Sequence, residues 1–201
     1  MNKLTDRLFW IVFTNTFTLE LPKFQNLIQY ILLEFGTKQP CNRFDIGNSI
    51  EFELADIIKK CDLDVKELPN AKRIDICVNE HYKLSIKYSS TGNIKLHNSN
   101  NSSNKDMTMT DLLLLTSDNL YLITNDNIND LDIDITNYLQ NTGDGLSLKR
   151  TILTELKKKN FEYMMPIDLN IDKSQCKNRL CSKLFLQQVK SEFANQIEDD
   201  F

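Results

Sequence analysis

The chain has no Cys-x-x-Cys pair and only two histidines, His81 and His97. Its five cysteines, at 41, 61, 77, 176 and 181, are odd in number. This spacing does not fit the usual zinc fingers, even with Cys176 and Cys181 set beside the two histidines. It does not suggest a disulfide framework either. Cys61 and Cys77 lie in apolar contexts and read as reduced core residues of an intracellular protein. Long apolar runs are also scarce. The N-terminal one, Leu8–Phe13, is too short to span a bilayer and has no small-residue cleavage site after it. It reads as a buried strand or a helix start, and the protein as soluble, with no membrane partner. The run Asp130–Asp134 lacks the glycine and the terminal glutamate of a calcium loop. No internal repeat is visible. There is no overall positive charge, with 24 Lys and Arg against 28 Asp and Glu and a net charge of −4.

What is present fits one globular domain over residues 1–201. The chain is 41% hydrophobic and 26% charged, enough to build a sizeable core. The charge is unevenly placed. Leu146–Lys190 holds ten Lys and Arg against four acids, 10 − 4 = +6, whereas Asp106–Asp144 holds eight Asp and no Lys or Arg. Phosphate contacts need local basic surface rather than overall charge. The basic quarter is therefore either an ordinary solvated face or a nucleic-acid surface. We expect residues 145–197 to form a basic, helical C-terminal region.

The centre of the chain reads as three short strands. Lys72–Val78 has an apolar run interrupted by an acid at Asp75. Tyr82–Tyr88 alternates Leu84, Ile86 and Tyr88 against Lys83, Ser85 and Lys87, the period of a half-buried strand. Asn93–Asn98 follows a turn at Thr91–Gly92. Asp111–Thr116 and Leu120–Thr124 are unbroken apolar runs, which suggests strands buried on both faces. Helices flank them. Pro22–Phe35 carries a helical stripe that Gly36 ends. A second helix is expected after an Asn48 or Ser49 cap, with Ile50, Leu54, Ile57, Ile58 and Cys61 inward. A third, opened by Ser147, is expected over Leu148–Lys159 and a fourth over Ser182–Gln196, with Phe161–Ile171 as a strand or extended arm. The fold class is α/β, with a mixed central sheet of about five strands flanked by helices.

Alternation places Ser85 and Lys87 on one face of their strand. If Asp75 lies in the neighbouring strand, its carboxylate meets the Lys87 ammonium there. Glu51 falls on the shoulder of the second helix's apolar stripe. It serves either the helix dipole or a site facing the sheet. A carboxylate, a hydroxyl and an amine on a stiff strand pair are parts for binding a divalent metal and activating water. They are equally the parts of a surface Lys–Asp pair.

In this order, Gly47-x-x-x-Glu51, Asp75 and Ser85-Ile86-Lys87 resemble the PD-(D/E)xK nuclease superfamily, over about residues 42–124. Within it, the pattern and the basic C-terminal region look like a type II restriction endonuclease. The resemblance implies a restriction-endonuclease-like core that hydrolyses phosphodiester bonds of double-stranded DNA with Mg²⁺. It implies catalytic roles for Glu51, Asp75, Ser85 and Lys87, and metal ligation by Asp75, Glu51 and the Ile86 carbonyl. Ser85 departs from the pattern, because the superfamily has an acid there. Restriction-type enzymes commonly act as two-fold dimers, so a homodimer is expected. By residue type, DNA contacts fall to Ser89, Ser90, Asn98, Lys149, Arg150, Lys177, Asn178 and Arg179. A structure-selective nuclease, such as a junction resolvase or repair nuclease, and a non-catalytic DNA-binding module are the alternatives.

Overall fold

The structure is a computed structural model that describes residues 5–36, 40–68, 74–98, 109–142 and 145–181. In chain order its elements are helices α1 (Asp6–Phe35) and α2 (Pro40–Lys60) and strands β1 (Val65–Glu67), β2 (Ile76–Val78), β3 (Tyr82–Tyr88), β4 (Ile94–Asn98), β5 (Leu112–Leu115) and β6 (Asn119–Ile123). Helix α3 (Asn125–Asn129), strands β7 (Leu139–Thr142) and β8 (Gly145–Leu148), helix α4 (Thr151–Lys158) and strand β9 (Met164–Pro166) follow. Six strands form a mixed sheet in the order β1-β2-β3-β5-β6-β9, and β4-β8-β7 form a smaller one. The expected α/β fold with helix-flanked sheet is present. Its main sheet has six strands, and β4 pairs with β8 in the second sheet instead of joining β3.

The two faces of the main sheet bury different clusters. Leu84, Ile86, Leu113, Leu115, Leu120 and Leu122 pack with the apolar stripes of α1 and α2. Leu112, Leu114, Tyr121 and Ile123 pack with β4, β8 and α4. This explains why β5 and β6 read as unbroken apolar runs, since every residue in both strands is buried.

Helix α1 is longer than its sequence suggests. Of its two readings, Leu8–Phe13 takes the helix start, and it runs on without a break into the Pro22–Phe35 stripe as one 30-residue helix. Thr5 caps it by accepting from the Leu8 amide at 3.3 Å. Pro22 reads as a beginning because it cannot donate to the preceding turn, yet it lies inside the helix. Phe9, Phe13 and Phe17 recur every four residues, and their rings stack at 5.7 and 5.4 Å. Burying them on the sheet outweighs a proline penalty of roughly 3 kcal/mol. Gly36 ends the helix at φ 61°, as expected.

Helix α2 starts nine residues earlier than a cap at Asn48, with Ser49 as first helical residue, would put it. Pro40 occupies its first turn, where a missing N–H costs nothing. Gly47, Asn48 and Ser49 are therefore interior, and Ser49 donates its hydroxyl to the Asp45 carbonyl at 2.8 Å. In the C-terminal region, Ser147 belongs to β8 rather than opening a helix, and α4 begins at Thr151. Residues 145–181 are α-helical only over α4, and the helix expected at Ser182–Gln196 lies outside the described residues. Among the described residues no helix is long and apolar enough to cross a membrane.

Candidate active site

The site forms where β3 changes partners. Tyr82–Leu84 pair with β2 on one side, and Ser85–Tyr88 pair with β5 on the other. From Ser85 onward the β2 side of β3 has no strand partner among the described residues. Asp75 stands at that divergence. Its backbone is fixed on both sides, its N–H donating to the Leu84 carbonyl and its C=O accepting from Leu68, each at 2.9 Å. Its carboxylate takes the place of the missing strand. The Ile86 amide, which faces the open edge, donates to Asp75 Oδ2 at 2.7 Å.

Asp75 Oδ2 also accepts from Ser85 Oγ at 2.9 Å and from Lys87 Nζ at 3.2 Å. Three donors on one oxygen fix the carboxylate. The same Lys87 Nζ lies 3.2 Å from Glu51 Oε2 and 2.7 Å from the Ile86 carbonyl. Glu51, Asp75, Ser85, Ile86 and Lys87 therefore converge. Ser85 is buried, and its hydroxyl is committed to Asp75.

Burial raises the Glu51 carboxyl to about 7, helped by the Asp75 charge and opposed by Lys87. A quarter of its side chain is exposed (24%), against 39% for Asp75 and 19% for Lys87. The group is thus partly buried and open at one side.

The donor set fits a hard divalent cation. Asp75, Glu51 and the Ile86 carbonyl offer oxygens only, and they already surround a positive charge, the Lys87 ammonium. Magnesium is characteristically held by one or two carboxylates with water filling the remaining positions. Among the described residues no three His, Cys, Asp or Glu side chains form a metal-holding group, so the set depends on that backbone carbonyl and on water.

The expected DNA-contacting residues fall into two places. Ser89 and Ser90 follow β3 directly, and Arg150 reaches them, donating from Nη1 to the Ser89 carbonyl at 3.1 Å. Lys149 Nζ donates to the Asn137 carbonyl at 2.9 Å. The Asn98 side chain lies outside the described residues. Lys177, Asn178 and Arg179 lie elsewhere, against the end of α1. Lys177 and Arg179 pair with Glu34 at 2.6 and 3.2 Å, and the Arg179 guanidinium sits 5.1 Å from the Phe35 ring centroid. Asn42, at the start of α2, donates to the Phe35 and Arg179 carbonyls at 2.7 Å each.

That Glu34 and Asn42 hold the 177–179 segment was not apparent from sequence. The available signal was an acid three residues after Ile31 on the buried stripe of α1, a position that needs a cation.

No family model matches the sequence, and no curated protein matches it. Among solved structures, a restriction endonuclease in complex with substrate DNA is similar, with a TM-score of 0.57 at 15% identity. The likeness covers 94% of this chain and 96% of that chain. The chain therefore has a restriction-endonuclease-like fold.

Proposed function

We propose that this protein is a Mg²⁺-dependent endodeoxyribonuclease that hydrolyses phosphodiester bonds of double-stranded DNA, acting site-specifically in the manner of a type II restriction endonuclease. The observation that carries the reading is the convergence of Glu51, Asp75 and the Ile86 carbonyl around one positive nitrogen at an open sheet edge. The fold shared with a DNA-bound restriction endonuclease supports it.

In this reading Asp75 Oδ1, Glu51 and the Ile86 carbonyl hold the cation. When bound, magnesium supplies charge against the phosphoryl oxygens and makes water a better nucleophile. Ser85 is a positioning residue, since its hydroxyl holds Asp75 in one orientation. It supplies no charge, and Glu51 provides the second carboxylate from α2 instead. Lys87 offsets charge on the scissile phosphate and orients the attacking water.

DNA would run from this edge along the N-terminal half of α2. Asn42, which anchors the 177–179 segment, precedes Glu51 by nine residues, roughly 13 Å of helix rise. Lys177 and Arg179 then meet phosphates, and Asn178 a base edge. Ser89, Ser90, Lys149 and Arg150 contact the strand near Lys87, and Asn98 is a further contact by residue type alone. A homodimer would place two such sites on opposite strands.

The test is incubation of supercoiled plasmid and phage DNA with Mg²⁺ or EDTA, followed by sequencing of the ends. Discrete, EDTA-sensitive fragments support the site-specific reading. Preferential cutting of a four-way junction over duplex moves the protein to the structure-selective class. DNA binding with no cutting under any divalent metal removes the nuclease reading.

A further inference from the structure

The proposed reading gives Lys87 a role during hydrolysis but leaves its position in the free protein unexplained. Its ammonium does not extend to solvent. The side chain folds back along its own strand to the carbonyl of the preceding residue, Ile86, at 2.7 Å. There it contacts Glu51 and Asp75 at 3.2 Å each. The three oxygens come from three separate elements: α2, the residue before β2, and β3. They are the same groups that would ligate a divalent ion. We infer that the Lys87 ammonium occupies the cation position in the free protein and leaves it when the divalent ion enters, so that Lys87 sets metal affinity as well as serving the reaction. This rests on the proposed nuclease reading of the site.

Charge explains both the resting position and its exchange. Two carboxylates face one ammonium, so the cage is under-neutralised. A doubly charged ion satisfies such a pair better than a single positive charge. Asp75 Oδ2 keeps its bonds from Ser85 and the Ile86 amide throughout, so the cage holds its shape as Lys87 leaves. The displaced lysine remains on β3, next to the position a scissile phosphate would take. Metal entry and delivery of the lysine to the substrate are then one movement.

The test needs no DNA and no turnover. Mn²⁺ is titrated into the wild type, Lys87→Met, Lys87→Arg and Asp75→Asn, and free Mn²⁺ is read by electron paramagnetic resonance. Lys87→Met keeps the stem and removes the charge, so it should bind Mn²⁺ more tightly by about tenfold or more, the equivalent of losing one charge-assisted competitor. Lys87→Arg should stay near the wild type, and Asp75→Asn should bind far more weakly. A second readout uses the wild type alone: acylation of the Lys87 amine, followed by mass spectrometry, should speed up as Mn²⁺ saturates. Equal or weaker binding by Lys87→Met, or Lys87 labelling unchanged by saturating Mn²⁺, overturns the inference. If the wild type still cuts DNA with Mg²⁺ in either case, the nuclease reading survives while the inference fails. Absence of Mn²⁺ binding in both the wild type and Lys87→Met overturns both.

Discussion

The two ends of β3 each hold a pair of acids, and they are built in opposite ways. At the Tyr82 end, Asp6 accepts from the Tyr82 hydroxyl at 2.7 Å and from the Thr124 hydroxyl. Nearby, Asp111 accepts from the Asn125 amide at 3.2 Å, and burial raises its carboxyl to about 6, with Asp6 and Asp126 adding to the rise. At the Lys87 end, burial also raises the Glu51 carboxyl, to about 7. Burial and a raised acid are therefore common to both ends and do not identify a catalytic site. Two features separate them. Neutral hydroxyl and amide donors satisfy the Tyr82 end, and the β3 backbone there is paired with β2. A lysine holds the other end, and the backbone of Ile86 is left to side chains. An open strand edge with a cation among acids can exchange its cation for another, whereas a closed hydrogen-bonded cluster can only hold the fold together.

The largest expected effect contrasts Asp75 with Asp6. Asp75→Ala should reduce Mg²⁺-dependent cleavage by roughly 10³-fold or more, measured as plasmid nicking per folded molecule. Asp6→Ala should leave that rate unchanged while lowering unfolding free energy by about 2 kcal/mol in urea, because two hydroxyl donors lose their acceptor. Cleavage lost equally in both variants would erase the distinction between the two ends. Next in size, Lys87→Ala should cost roughly 10²-fold in cleavage, with DNA binding in EDTA retained within a few-fold. A larger loss of binding than of cleavage would make Lys87 a phosphate anchor instead.

Much of this site was legible because β3 announces itself. The alternation over Tyr82–Tyr88 gives the strand its observed bounds, and with it the common face of Ser85 and Lys87. The apolar runs of β5 and β6 gave the buried strands beside it. Asp75 was legible as an acid in an apolar segment, but not its reason for being there, which is that β2 starts one residue later and leaves the Ile86 amide for its carboxylate. Local pattern carries no information about where two strands part. The extent of α1 was hidden by Pro22, whose local penalty is outweighed by a phenylalanine stripe that acts only once the sheet exists. The start of α2 was hidden similarly, since Asn48 and Ser49 have cap chemistry but lie mid-helix. The partition into two sheets depends on β8 recruiting β4, a long-range pairing across 47 or more residues of chain (Asn98 with Gly145), on which local periodicity is silent.

The smallest effect sharpens the comparison through pH. An acid whose carboxyl is raised on folding holds its proton more tightly in the folded than in the unfolded chain. Stability contributed by Glu51 therefore falls as pH rises from its ordinary 4.5 through about 7. For Asp111 the corresponding fall runs from 3.8 through about 6. Glu51→Gln should match the wild type near pH 4 and exceed it at pH 8 by about 1–2 kcal/mol, less than the full proton-linked cost because Lys87 loses a charged partner. It should also lose cleavage, giving a stability gain at the expense of activity. Asp111→Asn should show its gain complete by about pH 7, about 1 kcal/mol in size, with cleavage retained. Thermal denaturation of the three proteins across pH 4–8 separates the windows. A stability difference for Glu51→Gln that does not grow between pH 5 and 8 would mean that the Glu51 carboxylate is already fully compensated by Lys87. The Lys87 end would then be as closed as the Tyr82 end, with no unmet charge to draw in a divalent ion.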